Sequence, residues 1–356
     1  MKRNRNGKII VTIDSDVYTP GNLNKLYAAG VDVFGLNFSS GSHKGYIRIC
    51  DGIRTIGKKY HTFPTILANL RSLNPEAKDR INWESILNLG VDWIILPPAQ
   101  NIEEIEMIKN KIDGRAGIIS ILEKSSVNAF EPMIEATDAI LISEGFSTNV
   151  QEDIVKACNR LGRPVIIEMR ISESVVSAKS KSKIGNMKTV IYPGIDAVML
   201  SIESSPEKHQ FEIVELIHSI MGKNEKDSSR IKYTEGVAAA PNKNTIDAIC
   251  AAAKEAAEFS CANVIVLFTD SLKTILRCSR MRIRIPIILV TESLTLASKS
   301  GLCGGIYPAI SKKEFNIEQI CKTAKTIVLD RGFAAIGDNI VVLDDISGNS
   351  VTICRL

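Results

Sequence analysis

The first 222 residues contain short, unbroken apolar runs, separated by segments in which apolar residues recur with helical spacing. A run without polar alternation is typical of a strand that is buried on both faces. Eight such runs alternate with amphipathic segments over about 215 residues, and this pattern predicts a closed (β/α)8 barrel. The predicted strands are residues 9–13, 33–38, 63–68, 93–96, 117–121, 139–142, 164–168 and 197–201.

An aspartate immediately precedes every second run. Asp32, Asp92, Asp138 and Asp196 are spaced by 60, 46 and 58 residues, which corresponds to about two β/α units each time. The aspartates therefore recur where the even-numbered strands begin, at the end of a barrel that is associated with stability rather than with catalysis. We interpret them as a structural device of the bottom rim.

A second folded unit is predicted after the barrel. Residues 223–243 are charged and irregular, and we expect them to link a barrel of residues 1–222 to a domain of residues 244–356. Asn244 is suited to begin a helix that reaches about residue 259. Predicted strands follow at 264–268, 287–290, 305–307, 340–343 and 350–353, and the tight connection between the last two favours an antiparallel hairpin. A three-layer α/β domain of about 115 residues is the expected form.

Composition excludes several classes of protein. Apolar residues make up 45% of the chain and charged residues 24%, as in soluble globular proteins. A net charge of +4 is too small to indicate a nucleic-acid or membrane partner. The eight cysteines show no C-x-x-C spacing, so we expect buried, reduced thiols rather than zinc. No apolar stretch approaches a membrane span or a signal peptide, and we expect a cytoplasmic protein.

Five sequence motifs follow one another in an order that resembles the pyruvate kinase family. They are Asn-Phe-Ser-Ser-Gly-Ser at 37–42, Val-Asn-Ala-Phe-Glu at 127–131, Ala-Cys-Asn-Arg-Leu-Gly-Arg-Pro-Val-Ile-Ile at 157–167, Asp-Ala-Val-Met-Leu-Ser-Ile-Glu at 196–203 and Pro-Ile-Ile-Leu-Val-Thr at 286–291. The resemblance implies a barrel followed by a smaller α/β domain. The family's lid domain is expected to be absent, because only about ten residues, 69–78, join the third strand to the third helix.

The resemblance also implies a reaction, which is phosphoryl transfer between phosphoenolpyruvate and ADP with magnesium, potassium and a lysine. The family's catalytic positions hold other residues in this chain. Gly35 stands at the phosphate-binding arginine, Ser120 at the lysine and Met169 at the threonine after the seventh strand. Phosphoryl transfer depends on cations held at such positions. Because all three positions hold other residues, we predict that no catalytic residue of the family is intact.

The metal positions implied by the resemblance are altered as well. Leu122 and Phe146 stand at the two magnesium carboxylates, and Ala68 stands at the aspartate that ends the third strand. Asn37 and Ser39 match potassium-site positions, but their aspartate partner is lost. No intact metal site and no cofactor are therefore expected, although the family uses magnesium and potassium.

Several neighbouring charges are candidate replacements. Glu123 lies one place from Leu122, and a one-residue shift along a strand turns a side chain to the opposite face, so we expect Glu123 not to substitute. With Glu144, Glu168 and Arg170 it would give the barrel mouth mixed charge. The basic segment 179–183 is interpreted as a solvated loop.

In the C-terminal domain, the resemblance places an effector phosphate loop at residues 268–272. Asp270 in this loop would repel a phosphate.

The preferred interpretation is a degenerate pyruvate kinase homologue that acts as a structural or regulatory subunit of a glycolytic pyruvate kinase complex. Its expected partners are further copies of itself or an active pyruvate kinase paralogue. Two alternatives stay open, namely a repurposed small-molecule enzyme or metabolite sensor at the altered mouth, and a pyruvate kinase with residual phosphotransfer.

Overall fold

A computed structural model describes residues 2–14, 18–38, 42–71, 82–97, 101–123, 130–170, 194–201, 207–227, 240–311, 317–346 and 348–356. Ser39, the basic segment 179–183 and most of the predicted linker lie outside the described residues.

Eight parallel strands pair in chain order and close into a barrel, as the run pattern predicts. The strands are β1 (Lys8–Ile13), β2 (Val33–Asn37), β3 (Thr65–Asn69), β4 (Trp93–Ile95), β5 (Gly117–Leu122), β6 (Ala139–Ile142), β7 (Val165–Arg170) and β8 (Ala197–Ser201). The described barrel helices are α1 (Pro20–Ala29), α2 (His43–Tyr60), α3 (Trp83–Leu87), α4 (Ile102–Ile112), α5 (Phe130–Ala136), α6 (Thr148–Leu161) and α7 (Glu207–Asn224).

Thirteen residues, 70–82, separate β3 from the described helix α3, and most of the predicted connection 69–78 lies outside the described residues. Asn82 caps α3 by accepting a hydrogen bond from the Ser85 amide at 3.0 Å. Thirteen residues are far fewer than an independent domain needs. The barrel therefore carries no lid domain at this position.

Side chains of the strands form two separate apolar layers. One layer joins strand residues such as Ile9, Ile66 and Ile118 to residues of the surrounding helices. The other consists almost entirely of alternate strand residues, including Ile10 and Ile119, and therefore fills the barrel interior. Membership of these two layers tells which way each strand residue faces.

The four repeated aspartates bind the strands to one another at the bottom rim. Each accepts a hydrogen bond from the backbone N–H at the start of the preceding odd-numbered strand. The pairs are Asp32 with Ile9 at 2.9 Å, Asp92 with Ile66 at 2.8 Å, Asp138 with Ile118 at 3.0 Å and Asp196 with Val165 at 3.0 Å. The predicted structural role of this repeat is confirmed.

The rim aspartates differ in their burial and in the charged groups beside them. Burial opposes ionisation of Asp32, but the guanidinium groups of Arg5 and Arg3 outweigh it and lower its pKa. Burial raises the pKa of Asp92 to about 7. Asp138 lies 3.2 Å from the half-exposed Lys109 ammonium. The rim therefore mixes deeply buried and solvent-screened carboxylates.

The C-terminal domain has a five-stranded sheet in the order β11, β10, β9, β12, β13. Its strands are β9 (Val264–Phe268), β10 (Ile287–Thr291), β11 (Ile306–Ile310), β12 (Asn339–Asp344) and β13 (Ser350–Arg355), and only β12 and β13 pair antiparallel. Helices α8 (Thr245–Phe259), α9 (Leu272–Arg280) and α10 (Leu294–Ser300) cover one face, while α11 (Ile317–Asp330) covers the other. This is the predicted three-layer domain with its terminal hairpin.

Polar contacts join the two domains beneath the barrel. Arg282 forms an ion pair with Asp196 at 2.8 Å, and both side chains are almost fully buried. The Trp93 indole donates to the carbonyl of Lys299 at 2.9 Å, and Lys8 donates to the carbonyl of Ile306 at 2.7 Å. The bottom rim is therefore also the seam with the C-terminal domain.

The eight cysteines are free thiols, and six of them are buried. Among the described residues, no helix combines the length and the apolar character that crossing a membrane requires.

A rim prediction compares the buried Asp196 with the partly exposed Asp138. Asp196→Asn leaves the buried Arg282 guanidinium without its counter-charge, which is expected to lower the free energy of unfolding by about 3–5 kcal/mol. Asp138→Asn removes a solvent-screened pair and should cost about 1 kcal/mol or less. Urea denaturation of both variants measures the difference, and equal losses would contradict the view that the buried Asp196–Arg282 pair depends on its counter-charge more than the Asp138–Lys109 pair does.

Candidate functional site at the barrel mouth

The mouth lies at the carboxyl ends of the barrel strands, where (β/α)8 proteins place their chemistry. Alternation along each strand brings a last layer of polar side chains to the interior at this end. The layer includes Asn37 of β2, Asn69 of β3, Ser143 of β6, Glu168 of β7 and Ser201 of β8. These five residues therefore bring small polar groups and the carboxylate of Glu168 to the opening.

Glu168 is the centre of the described polar contacts at the mouth. Its carboxylate Oε2 accepts from Arg71 Nη1 at 2.6 Å, and its Oε1 accepts from the Ser201 hydroxyl at 3.3 Å. Glu168 is only 4% exposed, and the Arg71 side chain is 20% exposed. The Arg71 amide donates to Asn69 Oδ1 at 3.1 Å, which turns the chain after β3.

Glu168 was expected at the mouth, whereas Arg71 was missed. Arg71 lies two residues beyond the end of β3, in a segment that the sequence marks only as a connection. An arginine just past the carboxyl end of a barrel strand is the signal that could have identified it.

A second pair lies at the rim of the mouth. Glu144 Oε1 accepts from the Arg170 amide at 2.7 Å, and the Arg170 Nε lies 3.8 Å from the other carboxylate oxygen. Both side chains are largely exposed, so solvent screens their attraction. Each of these two arginines, Arg71 and Arg170, is therefore matched by a carboxylate.

Gly35 lies inside the barrel and leaves little room for a side chain. A Cβ atom at this position would be 3.3 Å from Thr12 Cγ2 and 3.6 Å from Leu67 Cδ2. Asn37, two residues further on, is half-buried at the end of the strand, and its carbonyl accepts from the Tyr46 hydroxyl at 2.9 Å. A side chain at position 35 would therefore require Thr12 to shift by a few tenths of an ångström.

Four predicted site residues face the helices instead of the mouth. Ala68, Leu122 and Met169 are buried in the layer between strands and helices. Ser120 lies between Ile118 and Leu122 of the same layer, and its buried hydroxyl has no hydrogen-bond partner among the described residues. Phe146 is half-buried and packs against this layer too.

The placement of Ser120 and Leu122 at the mouth therefore does not fit the observed alternation. Ile119 and Ile121 belong to the barrel interior, and Glu123 continues their phase at the end of β5. The expectation that Glu123 faces away from the mouth is therefore wrong. Leu122 faces the helices, so Glu123, one residue further along, faces the mouth. A motif fixes a strand only to within a residue or two, whereas one residue decides the face.

The described residues do not fit a divalent metal site. Magnesium requires oxygen ligands, usually one or two carboxylates, in near-octahedral geometry. Leu122 and Phe146 are apolar and packed against helices, and the Glu168 carboxylate is committed to Arg71. Glu123, which has the interior phase just after β5, is then left as a single carboxylate. In the part of the chain that the structure describes, no three His, Cys, Asp or Glu side chains cluster in a way that could hold a metal ion.

Carboxylates also fill the polar loop that precedes α9 in the C-terminal domain. Asp345 Oδ2 accepts from the hydroxyls of Thr269 at 2.7 Å and Thr274 at 2.6 Å. Asp270 accepts from the Thr291 hydroxyl and from the Glu292 amide. Negative charge near a helix N-terminus is favourable, and here the chain supplies it itself.

A cavity of about 300 Å³ lies at the opposite end of the barrel, in the seam between the domains. Its cationic lining is already engaged. Lys8 lies 4.5 Å from the Tyr307 ring centroid, and burial lowers the pKa of Lys8 to about 8 against the opposing effect of Asp32. Arg331 donates to the carbonyl of Pro308 at 2.7 Å. Lys8 therefore contributes to the contact between the two domains, whereas Arg331 binds within the C-terminal domain.

Comparison with known proteins places this geometry in a family. A family model described as "Pyruvate kinase, alpha/beta domain" matches residues 247–353. A pyruvate kinase of Agrobacterium vitis is 30% identical over 298 residues, which are 80% of this chain and 62% of that protein. The pyruvate kinase of Methylorubrum extorquens is 27% identical over 278 residues, which are 75% of this chain and 58% of that protein. The chain spans about three fifths of the length of these relatives, and it belongs to the pyruvate kinase family.

Proposed function

We propose that this chain is a catalytically inactive pyruvate kinase homologue that serves as a structural or regulatory subunit of a pyruvate kinase complex. The observation that carries the proposal is the charge pattern of the described part of the mouth. The interior phase of β5 holds Ile121 rather than a lysine, and Arg71 and Arg170 are each matched by a carboxylate. Phosphoryl transfer needs placed cations, and these described side chains do not supply them.

The energetic cost of these replacements is large. A metal and a transition-state cation each stabilise phosphoryl transfer by several kcal/mol. Each 1.36 kcal/mol corresponds to a factor of about ten in rate. Gly35 stands where the resemblance implies an arginine. On β5, the side chain that faces the barrel interior is Ile121, where the reaction would need a lysine. Arg71 is held by Glu168, so it does not offer a free charge in exchange.

Retained scaffold surfaces support the subunit role. A catalytic mouth can change without altering oligomer contacts, because the two use different residues. Strand β13 is the edge of the C-terminal sheet, and Ile353 on it is 54% exposed. Phe259 at the end of α8 is 85% exposed. An unpaired edge with exposed apolar side chains favours association.

A metabolite sensor at the mouth is the second candidate function. The interior phase of Glu123 and the presence of Arg71 favour it, since both groups bring charge to the mouth that could recognise a small ligand.

The first prediction for this function is the absence of turnover. With phosphoenolpyruvate, ADP, magnesium and potassium, a coupled pyruvate assay is expected to stay below about 1 s⁻¹, the low end of ordinary enzymes. An active relative in the same assay provides the positive control. Turnover above that rate that co-purifies with the folded chain would refute inactivity, and its loss in Glu123→Gln would show that Glu123 takes part.

A second prediction concerns nucleotide and effector binding. Ligand at a hundred times its dissociation constant would stabilise the fold by about 2.7 kcal/mol and raise Tm by several degrees. Millimolar magnesium-ADP is expected to leave Tm unchanged, because the described residues of the mouth do not fit a divalent metal. Fructose bisphosphate should also leave Tm unchanged, because the Asp345 carboxylate already accepts from the hydroxyls of Thr269 and Thr274. A clear rise with either compound would show that a family ligand still binds.

A third prediction concerns assembly. Size-exclusion chromatography with light scattering is expected to show a dimer or larger, and co-expression with an active pyruvate kinase should give a mixed complex. Ile353→Asp places a charge on the β13 edge and should weaken assembly at least about tenfold. Met107→Asp, on a barrel helix with 59% exposure, is the matched control and should have no effect. A monomeric wild-type chain that neither captures nor affects the active enzyme would leave the subunit role without support.

A further inference from the structure

The contact of Arg71 with Glu168 crosses the barrel mouth. Arg71 follows β3 and Glu168 belongs to β7, and in a closed barrel of eight strands in chain order these two strands lie opposite one another. Arginine and glutamate are long enough to meet between them, at 2.6 Å from Nη1 to Oε2. The ion pair therefore spans the opening and does not join neighbouring strands.

Glu168 is an unusual choice for scaffold stability alone. A buried carboxylate costs several kcal/mol unless a counter-charge and hydrogen bonds compensate it, and an apolar pair of similar volume is often as stable or more stable. The Glu168 side chain is 4% exposed and accepts from the Arg71 guanidinium and the Ser201 hydroxyl. Its burial thus depends on these two donors being in place.

The same two donors would suit a small external anion. Guanidinium groups bind carboxylates and phosphates in similar geometry, and a nearby hydroxyl adds a further hydrogen bond. We propose that Arg71 and Ser201 form an anion subsite for a carboxylate or phosphate group at the barrel mouth, and that the chain's own Glu168 occupies it as a built-in ligand. In the absence of a competing anion, the Glu168 carboxylate blocks this subsite.

The competition favours the internal carboxylate. A group tethered on the same chain has an effective concentration of at least roughly the millimolar range. An external anion must exceed that level before it displaces Glu168. Removing the Glu168 carboxylate leaves Arg71, which is 20% exposed, free to bind an anion from solution.

The test is a calorimetric titration of the full chain with inorganic phosphate and, separately, with malonate. Glu168→Ala is expected to bind at least one of the two anions at least about tenfold more tightly than the wild type. The double variant Arg71→Ala with Glu168→Ala should lose this gain. Glu144→Ala removes a mouth carboxylate that contacts Arg170 instead, and it should bind like the wild type.

Circular dichroism and thermal unfolding establish that each variant is folded, and Glu168→Gln replaces Glu168→Ala if the latter is not. Preference for phosphate or for malonate identifies the ligand class. Equal binding by Glu168→Ala and the wild type, or tight binding that persists in the double variant, would overturn the subsite.

This inference rests on the proposed loss of catalysis, yet the two fail separately. Turnover by the wild type would refute inactivity, whereas the titration measures only anion binding at the subsite.

Discussion

Each odd-numbered barrel strand begins with a backbone N–H that is held by the aspartate preceding the next strand. Asp32, Asp92, Asp138 and Asp196 impose this constraint at four points around the rim. Because the hydrogen bond fixes where one strand starts relative to the next, it sets the register on which every later side-chain direction depends. Asp196 also binds Arg282 of the C-terminal domain, so the same rim orients the second domain.

The sequence predicts most of this framework for physical reasons. Strands buried on both faces give unbroken apolar runs, and a rim aspartate must recur once in every two β/α units. The terminal hairpin also follows from its short polar connection between β12 and β13. These features are local or periodic, so they need no knowledge of contacts between distant segments.

The mouth is less predictable because it depends on single-residue register and on contacts across the barrel. Motif alignment places Leu122 at a metal carboxylate, yet alternation turns it to the helices and leaves Glu123 in the interior phase. Ala68 and Met169 are displaced from the mouth in the same way. The pairing of Arg71 with Glu168 joins residues 97 positions apart, and no local sequence pattern predicts it.

Two parts of the molecule share one electrostatic arrangement. At the mouth, the Glu168 carboxylate is held by Arg71 and Ser201, and before α9 the Asp345 carboxylate is held by two threonine hydroxyls. In both cases, donors that would suit an external anion already hold a carboxylate of the chain. Such internal pairing satisfies the buried donors and keeps the surrounding backbone ordered. The fold therefore needs no external anion at either place, since a carboxylate of the chain supplies the hydrogen-bond acceptor.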